Sequence, residues 1–417
     1  MTIPSQPVEQ GYGLYGLPLT VQFCKRCTMS NQRPASSVEF RNKKGQRKQV
    51  LAFDSEGVCD ACRFAESKQQ IDWQQREMQL QDLCDRFRRS DGRYDVVVPG
   101  SGGKDSVMAA HLLKYNYGMT PILVTWPPAL YTAIGLRNFE RWLDAGFANY
   151  TYHQNRRVHR ILTQQAFLNL CHPFQPFMLG QKNLAPKMSA LLDIPLVIFG
   201  ENEAEYGNPI SDNERPTRDP RYYSADARVD ELYLGGVSAR ELMERYGFSL
   251  ADLEAYLPID PHRLAETGTE VHYLGYYKRW HPQETYYFSV EHNDFRPNDH
   301  RTEGSFSKYS SLDDKVDWLH YYTTHIKFGL GRASYDSAQE IRNGDITREE
   351  GVALVRRYDG EYPRCYLDDC LEYMQITQNQ FDAVIEEART PHLWHKIDGE
   401  WRLRHPIWDG FPQPVVD

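Results

Sequence analysis

Apolar and polar positions divide the chain into a polar N-terminal stretch, an alternating strand and helix region, and a mostly helical last third. Asp95–Val98 is a short β-branched run, which predicts a buried strand. Lys104–Tyr117 follows at helical spacing, with Val107, Met108, His111, Leu112 and Tyr115 expected on one face. Pro121–Trp126 predicts a second strand, Thr132–Ala145 a helix, and Asn149–His153 a weaker third strand. Residues 157–170 and Leu179–Leu192 predict helices, the latter despite Pro186, and lead to a buried strand at Pro195–Phe199. Val271–Tyr277 reads as a closing strand. Residues 64–90 read as one connecting helix, and residues 211–235 show little periodicity. Leu312, Val316, Leu319, Thr323, Ile326 and Leu330 keep helical spacing up to Gly329 and Gly331, and Thr347–Glu350 is a capping box before a helix over 351–358.

This alternation predicts an α/β fold with a doubly wound parallel sheet. The expected division is a metal-binding ribbon over 1–66, the α/β domain over 67–290 with a helical insertion near 211–260, and a helical region over 291–417. Ligands in such sheets sit beyond the strand C-termini. That rule lines up the turn at 101–106, Thr125 and Trp126, and Gly200 and Glu201 along one edge.

The turn Ser101-Gly-Gly-Lys-Asp-Ser106 joins the first strand to its helix. Gly102 and Gly103 lack a Cβ, so the backbone can take positive φ and approach a ligand closely. Amides at a helix N-terminus favour a phosphate. A Walker A loop is excluded because Val98 stands where its first glycine belongs and Asp105 follows the lysine. A dinucleotide fingerprint from Gly100 is excluded because Asp105 stands where its last glycine belongs. Glu201, Glu203 and Glu205 follow the strand at 195–199; their position suits Mg²⁺ or a ribose, and a solvated acidic loop is the plain alternative.

Composition narrows the function classes. Lys plus Arg number 48 against 57 Asp plus Glu, a formal charge of −9, which disfavours a nucleic-acid footprint. In the segment 237–257, which looks superficially like a helix-turn-helix, Arg240 and Arg245 face Glu241, Glu244, Asp252 and Glu254, so an inserted helical hairpin is the better reading. The chain shows neither a signal-peptide pattern nor an apolar run long enough to span a bilayer, so a cytoplasmic protein is expected. Four of the eight cysteines form two CxxC pairs, Cys24/Cys27 and Cys59/Cys62, a pattern that suits tetrahedral Zn²⁺. A redox pair or an iron–sulfur cluster is the lesser alternative. The charged run at 41–49 between the pairs reads as a solvated hairpin tip.

The strand–SGGKDS–helix unit resembles the PP-loop of the ATP pyrophosphatases, which cleave ATP between the α- and β-phosphates. CKRC and GVCDAC before the loop, GENEAEYG after it, and the downstream blocks YLGYYKRW, RTEGSFSKYSSLDDK and HYYTTHIKFGLGRASYDSAQEIRNGDITREEGVALVRRYDGEYP together look like the N-acetyl sugar amidotransferases of bacterial surface-polysaccharide pathways. The long insert between the CxxC pairs departs from that pattern. The resemblance implies ATP-dependent adenylation of an acetamido oxygen on an N-acetylated sugar acid, followed by replacement with ammonia. It implies ATP, Mg²⁺ and Zn²⁺ as cofactors. Lys104 and Asp105 become the catalytic candidates. The ATP site is expected to comprise Ser101, Gly102, Gly103, Lys104, Asp105, Ser106, Thr125, Trp126, Gly200 and Glu201, with Asp105 and Glu201 on Mg²⁺. Arg296, Arg301 and Lys308 are the candidates for a substrate carboxylate.

No GxCxG loop surrounds Cys84, Cys171, Cys365 or Cys370. The resemblance therefore implies ammonia from a separate glutaminase and cyclase-like partner pair. Three rival readings remain: a tRNA-thiolating PP-loop enzyme, an ammonia-dependent ligase acting on a carboxylate, and a non-enzymatic zinc-ribbon scaffold. The acidic balance disfavours the first, only the downstream blocks separate the second, and the intact SGGKDS turn disfavours the third.

Overall fold

A computed structural model describes residues 12–209 and 214–409. Four strands come first: Val96–Pro99 (β1), Pro121–Thr125 (β2), Asn149–Thr151 (β3) and Leu196–Phe199 (β4). A two-stranded hairpin, Tyr233–Leu234 (β5) with Val237–Ser238 (β6), precedes Glu270–Tyr273 (β7). The main sheet has the order β3-β2-β1-β4-β7, and every pairing in it is parallel. Parallel strands need both faces covered, which is why β1, β2 and β4 are continuous apolar runs rather than alternating ones.

The chain winds outward from β1 through Lys104–His111 and Ala133–Asp144 on one face. There Val96, Val98, Leu123, Leu196 and Ile198 pack with Val107, Phe139 and Trp142. It then crosses by Arg156–Leu170 and Gln175–Leu192 to the other face, where Val97, Ile122, Val124 and Val197 meet Val158, Leu162 and Leu184. Winding reverses between β1 and β4, so the crevice of the sheet lies at their C-terminal ends.

Several expectations shift in detail. The helix after β1 turns a different face inward: Ala109, Ala110 and Leu113 are buried beside Val107, while Tyr115 is exposed. Two alanines let the helix lie close to the sheet, and a wider π turn over Leu112–Asn116 rotates the register. The closing strand ends at Tyr273; Leu274–Tyr277 is a helical turn that returns the chain over the strand ends. Residues 64–90 hold two helices, Asp60–Ser67 and Trp73–Phe87. The second starts where the Asp72 carboxylate accepts from the Gln74 and Gln75 amides. Ala239–Tyr246 and Leu250–Leu253 form the expected helical hairpin; of the weakly periodic stretch before it, residues 211–213 lie outside the described residues.

The last third is helical, with Lys315–Phe328 capped by Asp314 and Arg348–Tyr358 opened by its capping box. Val316, Leu319, Ile326, Leu371 and Phe381 pack on Phe167 and Cys171 of the crossover helix. The two CxxC pairs pack with Met29, Leu51, Val58 and Ala338, so the ribbon leans on the helix Arg332–Asn343. The insert between the pairs leaves the ribbon: Phe40 lies in the core under the sheet, and Gln175 donates to the Glu39 carbonyl at 2.9 Å. The charged run at 41–49 is mostly exposed, and it bridges to Gly236 of the β5–β6 turn.

Candidate functional site

At the C-terminal ends of β1 and β4 the two loops touch backbone to backbone. A Cβ on Gly200 would stand 2.4 Å from the Asp105 carbonyl oxygen, a distance no side chain tolerates. Gly102 holds φ at +88°, and a Cβ there would meet the Asn138 carbonyl at 2.7 Å. Both glycines are therefore steric requirements of the crevice. Ser106 donates back to the Gly103 carbonyl at 2.9 Å and closes the turn at the head of the helix.

Asp105 is held from two sides. The Trp280 indole donates to one carboxylate oxygen at 2.7 Å, and the Lys104 ammonium reaches the other at 2.6 Å. Burial, and then the Asp105 charge nearby, push Glu201 up to about 7, with Lys104 pulling the other way. Asp105 and Glu201 present hard oxygen donors on the same cavity wall, which fits Mg²⁺. Glu203 and Glu205 are spent elsewhere. Glu203 pairs with Arg218, and Glu205 makes a buried ion pair with Lys68 at 2.7 Å.

A cavity of about 520 Å³ opens from this junction, and a slot of about 90 Å³ adjoins it. Ser101, Gly103, Asp105 and Glu201 line both. The slot reaches Gly200, Ser106, Trp126, Phe177 and Phe199, and Trp126 stacks on Tyr152 with ring centroids 5.4 Å apart. Gly102 and Lys104 line the larger cavity. Thr125 lines neither: it is fully buried, and its hydroxyl ties the end of β2 to the Gly100 carbonyl at 2.7 Å.

The three cations expected to meet a carboxylate lie outside the cavity lining. Arg296 is an exposed residue beside Asp294 at 3.4 Å. Arg301 is spent on a bidentate pair with Glu361, at 2.6 and 2.7 Å. Lys308 donates to the Asp299 carbonyl at 2.9 Å. Their polar segment reads as anion-binding in sequence, but its charges are satisfied at home.

The far wall is built instead from Arg33 and Ser36 of the ribbon, from Ser307, Tyr309–Asp313 and Asp317, from His320 and Tyr321, and from one face of the helix that carries Arg332, Asp336 and Glu340. Asp313 accepts from the Ser101 hydroxyl at 3.0 Å, which pins this wall to the Ser101–Ser106 turn. Burial pushes Asp317 up to about 6, and burial with two nearby cations pushes His320 down to about 3. The Asp313-Asp314 doublet was visible in the sequence block SSLDDK; Arg33, Arg332 and Trp280 carried no local signal of this role.

The four cysteines converge as the spacing predicts. Their sulfurs all lie within 4.8 Å of one another and are buried, a group that can hold a metal such as zinc. Backbone amides of Arg26, Met29 and Cys59 donate to Cys24 or Cys27 sulfur at 3.3 to 3.5 Å, as suits thiolates. Arg348 donates to the carbonyls of Cys24 and Cys27, so the C-terminal helices grip the knuckle from outside.

Two outcomes follow from this geometry. Freshly purified protein should carry one metal ion per chain and shielded thiols at 24, 27, 59 and 62; Cys59→Ser should release the metal, read by elemental analysis and thiol titration. Gly200→Ala should separate the two loops, with a stability loss of roughly 1–3 kcal/mol from overpacking. Thermal melting checks it.

Among proteins already described, residues 303–406 match the family model for the C-terminal domain of the WbpG-like LPS biosynthesis proteins. This segment supplies much of the far wall, and the match points to LPS biosynthesis. A shorter likeness, 25% identity over 77 residues, joins the chain to the uncharacterized protein MJ1599 of Methanocaldococcus jannaschii. It covers 18% of this chain and 27% of that protein, so the chain spans about a quarter of that relative's length. Among the described residues no helix is long and apolar enough to cross a membrane.

Proposed function

We propose that the chain is an ATP-dependent amidotransferase of surface-glycan assembly, in the LPS O-antigen or a related polymer. It adenylates the acetamido oxygen of an N-acetylated sugar acid and exchanges that oxygen for ammonia. The observation that carries the reading is the shared cavity. One end is the Ser101–Ser106 turn with Lys104, Asp105 and Glu201, and the other is walled by the segment that matches the LPS biosynthesis family.

An amide oxygen is a poor leaving group, and adenylation changes that. A bond forms between the amide oxygen and the α-phosphorus, the bond to the bridging oxygen breaks, and pyrophosphate leaves. Ammonia then adds at the imidate carbon, the carbon–oxygen bond breaks, and AMP departs with the electron pair. The retained proton leaves an amidinium group on the sugar. Lys104 and the amides at the head of its helix stabilise charge on the departing pyrophosphate. Asp105 and Glu201 are the donors for Mg²⁺, which supplies charge neutralisation on the phosphates when bound. Trp126 and Phe177 line a slot whose flat apolar walls suit a purine.

Ammonia is proposed to come from a partner glutaminase pair. Burial pushes the Cys84 and Cys171 thiols up to about 12 and raises Cys370 further. Cys365 is exposed, but burial and then Glu303 raise it as well. None has the lowered pKa that activates a glutaminase nucleophile. A carboxylate ligase shares the adenylation step; the family match over the far wall favours the sugar.

Lys104→Ala and Asp105→Asn should each lower ATP-to-AMP turnover by roughly 10²–10³-fold while leaving the melting temperature nearly unchanged. ADP as the product would overturn the adenylation reading. The isolated chain should use ammonium salts but not glutamine, and faster as pH rises, because only neutral ammonia carries the attacking lone pair. The product amidinium carries a new positive charge, so electrophoresis and mass spectrometry both follow it. Glutamine hydrolysis by the isolated chain would remove the partner from the scheme.

A further inference from the structure

Among the described residues five Lys and Arg side chains line the large cavity, and four have an acidic partner. Lys104 meets Asp105 at 2.6 Å, Arg332 meets Asp336 at 3.0 Å, Lys182 meets Glu39 at 4.0 Å, and Arg218 pairs with Glu203. Arg33 is different. It is 6% exposed, and its Nε and Nη1 have no hydrogen-bond partner. Among the described residues no carboxylate forms an ion pair with it, and its guanidinium faces the Tyr335 ring with 5.4 Å to the centroid.

The backbone fixes this side chain in place. The Arg33 amide donates to the Ser30 carbonyl at 3.1 Å, its carbonyl accepts from Leu51 at 2.9 Å, and Pro34 bridges to Val50. Close by, the Ser36 amide donates to the Asn208 side chain at 3.2 Å. Arg33 is thus a desolvated, pre-positioned cation with unused donors. A buried guanidinium without an acid is costly on its own, and an oxyanion that fits the fork compensates it.

We propose that Arg33 is the oxyanion subsite for the second substrate, binding a carboxylate or phosphoryl group on the molecule that meets ATP in this cavity. The proposal rests on the reading that the turn end takes ATP and the far wall takes the acceptor. It moves the anion contact from the polar segment 296–308, whose charges are locally satisfied, to the metal-binding ribbon.

Calorimetric titration of the full chain with three probes tests it: N-acetylglucosamine, its 6-carboxylate N-acetylglucosaminuronate, and its 1-phosphate. One charged probe should bind roughly tenfold tighter than the neutral sugar, the scale of a charge-assisted hydrogen bond. Which probe gains identifies carboxylate or phosphoryl as the group held. Arg33→Gln should erase that preference, and Arg33→Lys should keep part of it, with the metal retained and ATP affinity within about twofold of the parent. No preference in the parent, or a preference that survives Arg33→Gln, overturns the subsite; so does a loss confined to ATP binding. If Arg33→Gln does not fold, Arg33→Lys decides alone, and an unchanged preference there overturns the proposal. A preference that tracks Arg33 in a chain forming no AMP keeps the subsite and removes the amidotransferase reading. AMP formation with a preference indifferent to Arg33 does the reverse.

Discussion

The buried ion pair between Lys68 and Glu205 holds the crevice together. Both side chains are almost wholly withdrawn from solvent, at 7% and 3% exposure. The Lys68 ammonium also donates to the Trp280 carbonyl at 3.2 Å. One cation therefore joins the helix after the metal knuckle, the turn after β4 and the residue whose indole steadies Asp105. Such a pair adds little net stability, but removing one partner strands a charge at a cost of about 3–5 kcal/mol. Its value here is geometric. Three segments distant in sequence are forced into one register around the loop contact at Gly200.

Much of the sheet was legible because its signals are local. β-branched runs bounded by Pro, Gly and polar residues fall where β1, β2 and β4 lie, and the glycine turn follows β1 directly. The paired cysteines were legible because two ligands three positions apart define a knuckle by themselves. Inner faces were less secure: Tyr115 keeps helical spacing with Val107 yet ends exposed, because a π turn breaks the period the reading assumed.

The far wall of the cavity was beyond local reading. Arg301 and Glu361 stand in separate segments, and nothing near Arg301 says that its fork is already filled. Arg33 sits in an undistinguished loop, and only the fold places it against Tyr335 and the turn after β4. Glu201, Glu203 and Glu205 look equivalent in sequence; Arg218 and Lys68 engage two of them in ion pairs. Charge in a loop is a statement about composition, and its availability depends on partners that sequence proximity does not supply.

The cavity takes its two ends from parts of the chain under separate constraint. Around the turn after β1, Gly102 and Gly200 leave no room even for a methyl group, so that end admits almost no variation. The opposite end borrows surface from a ribbon whose small core is gathered round four sulfurs. An arrangement of that kind tolerates exchange of the residues between its anchor points. Descendants of such a chain can therefore diverge in what the outer half of the cavity admits while the inner half stays frozen.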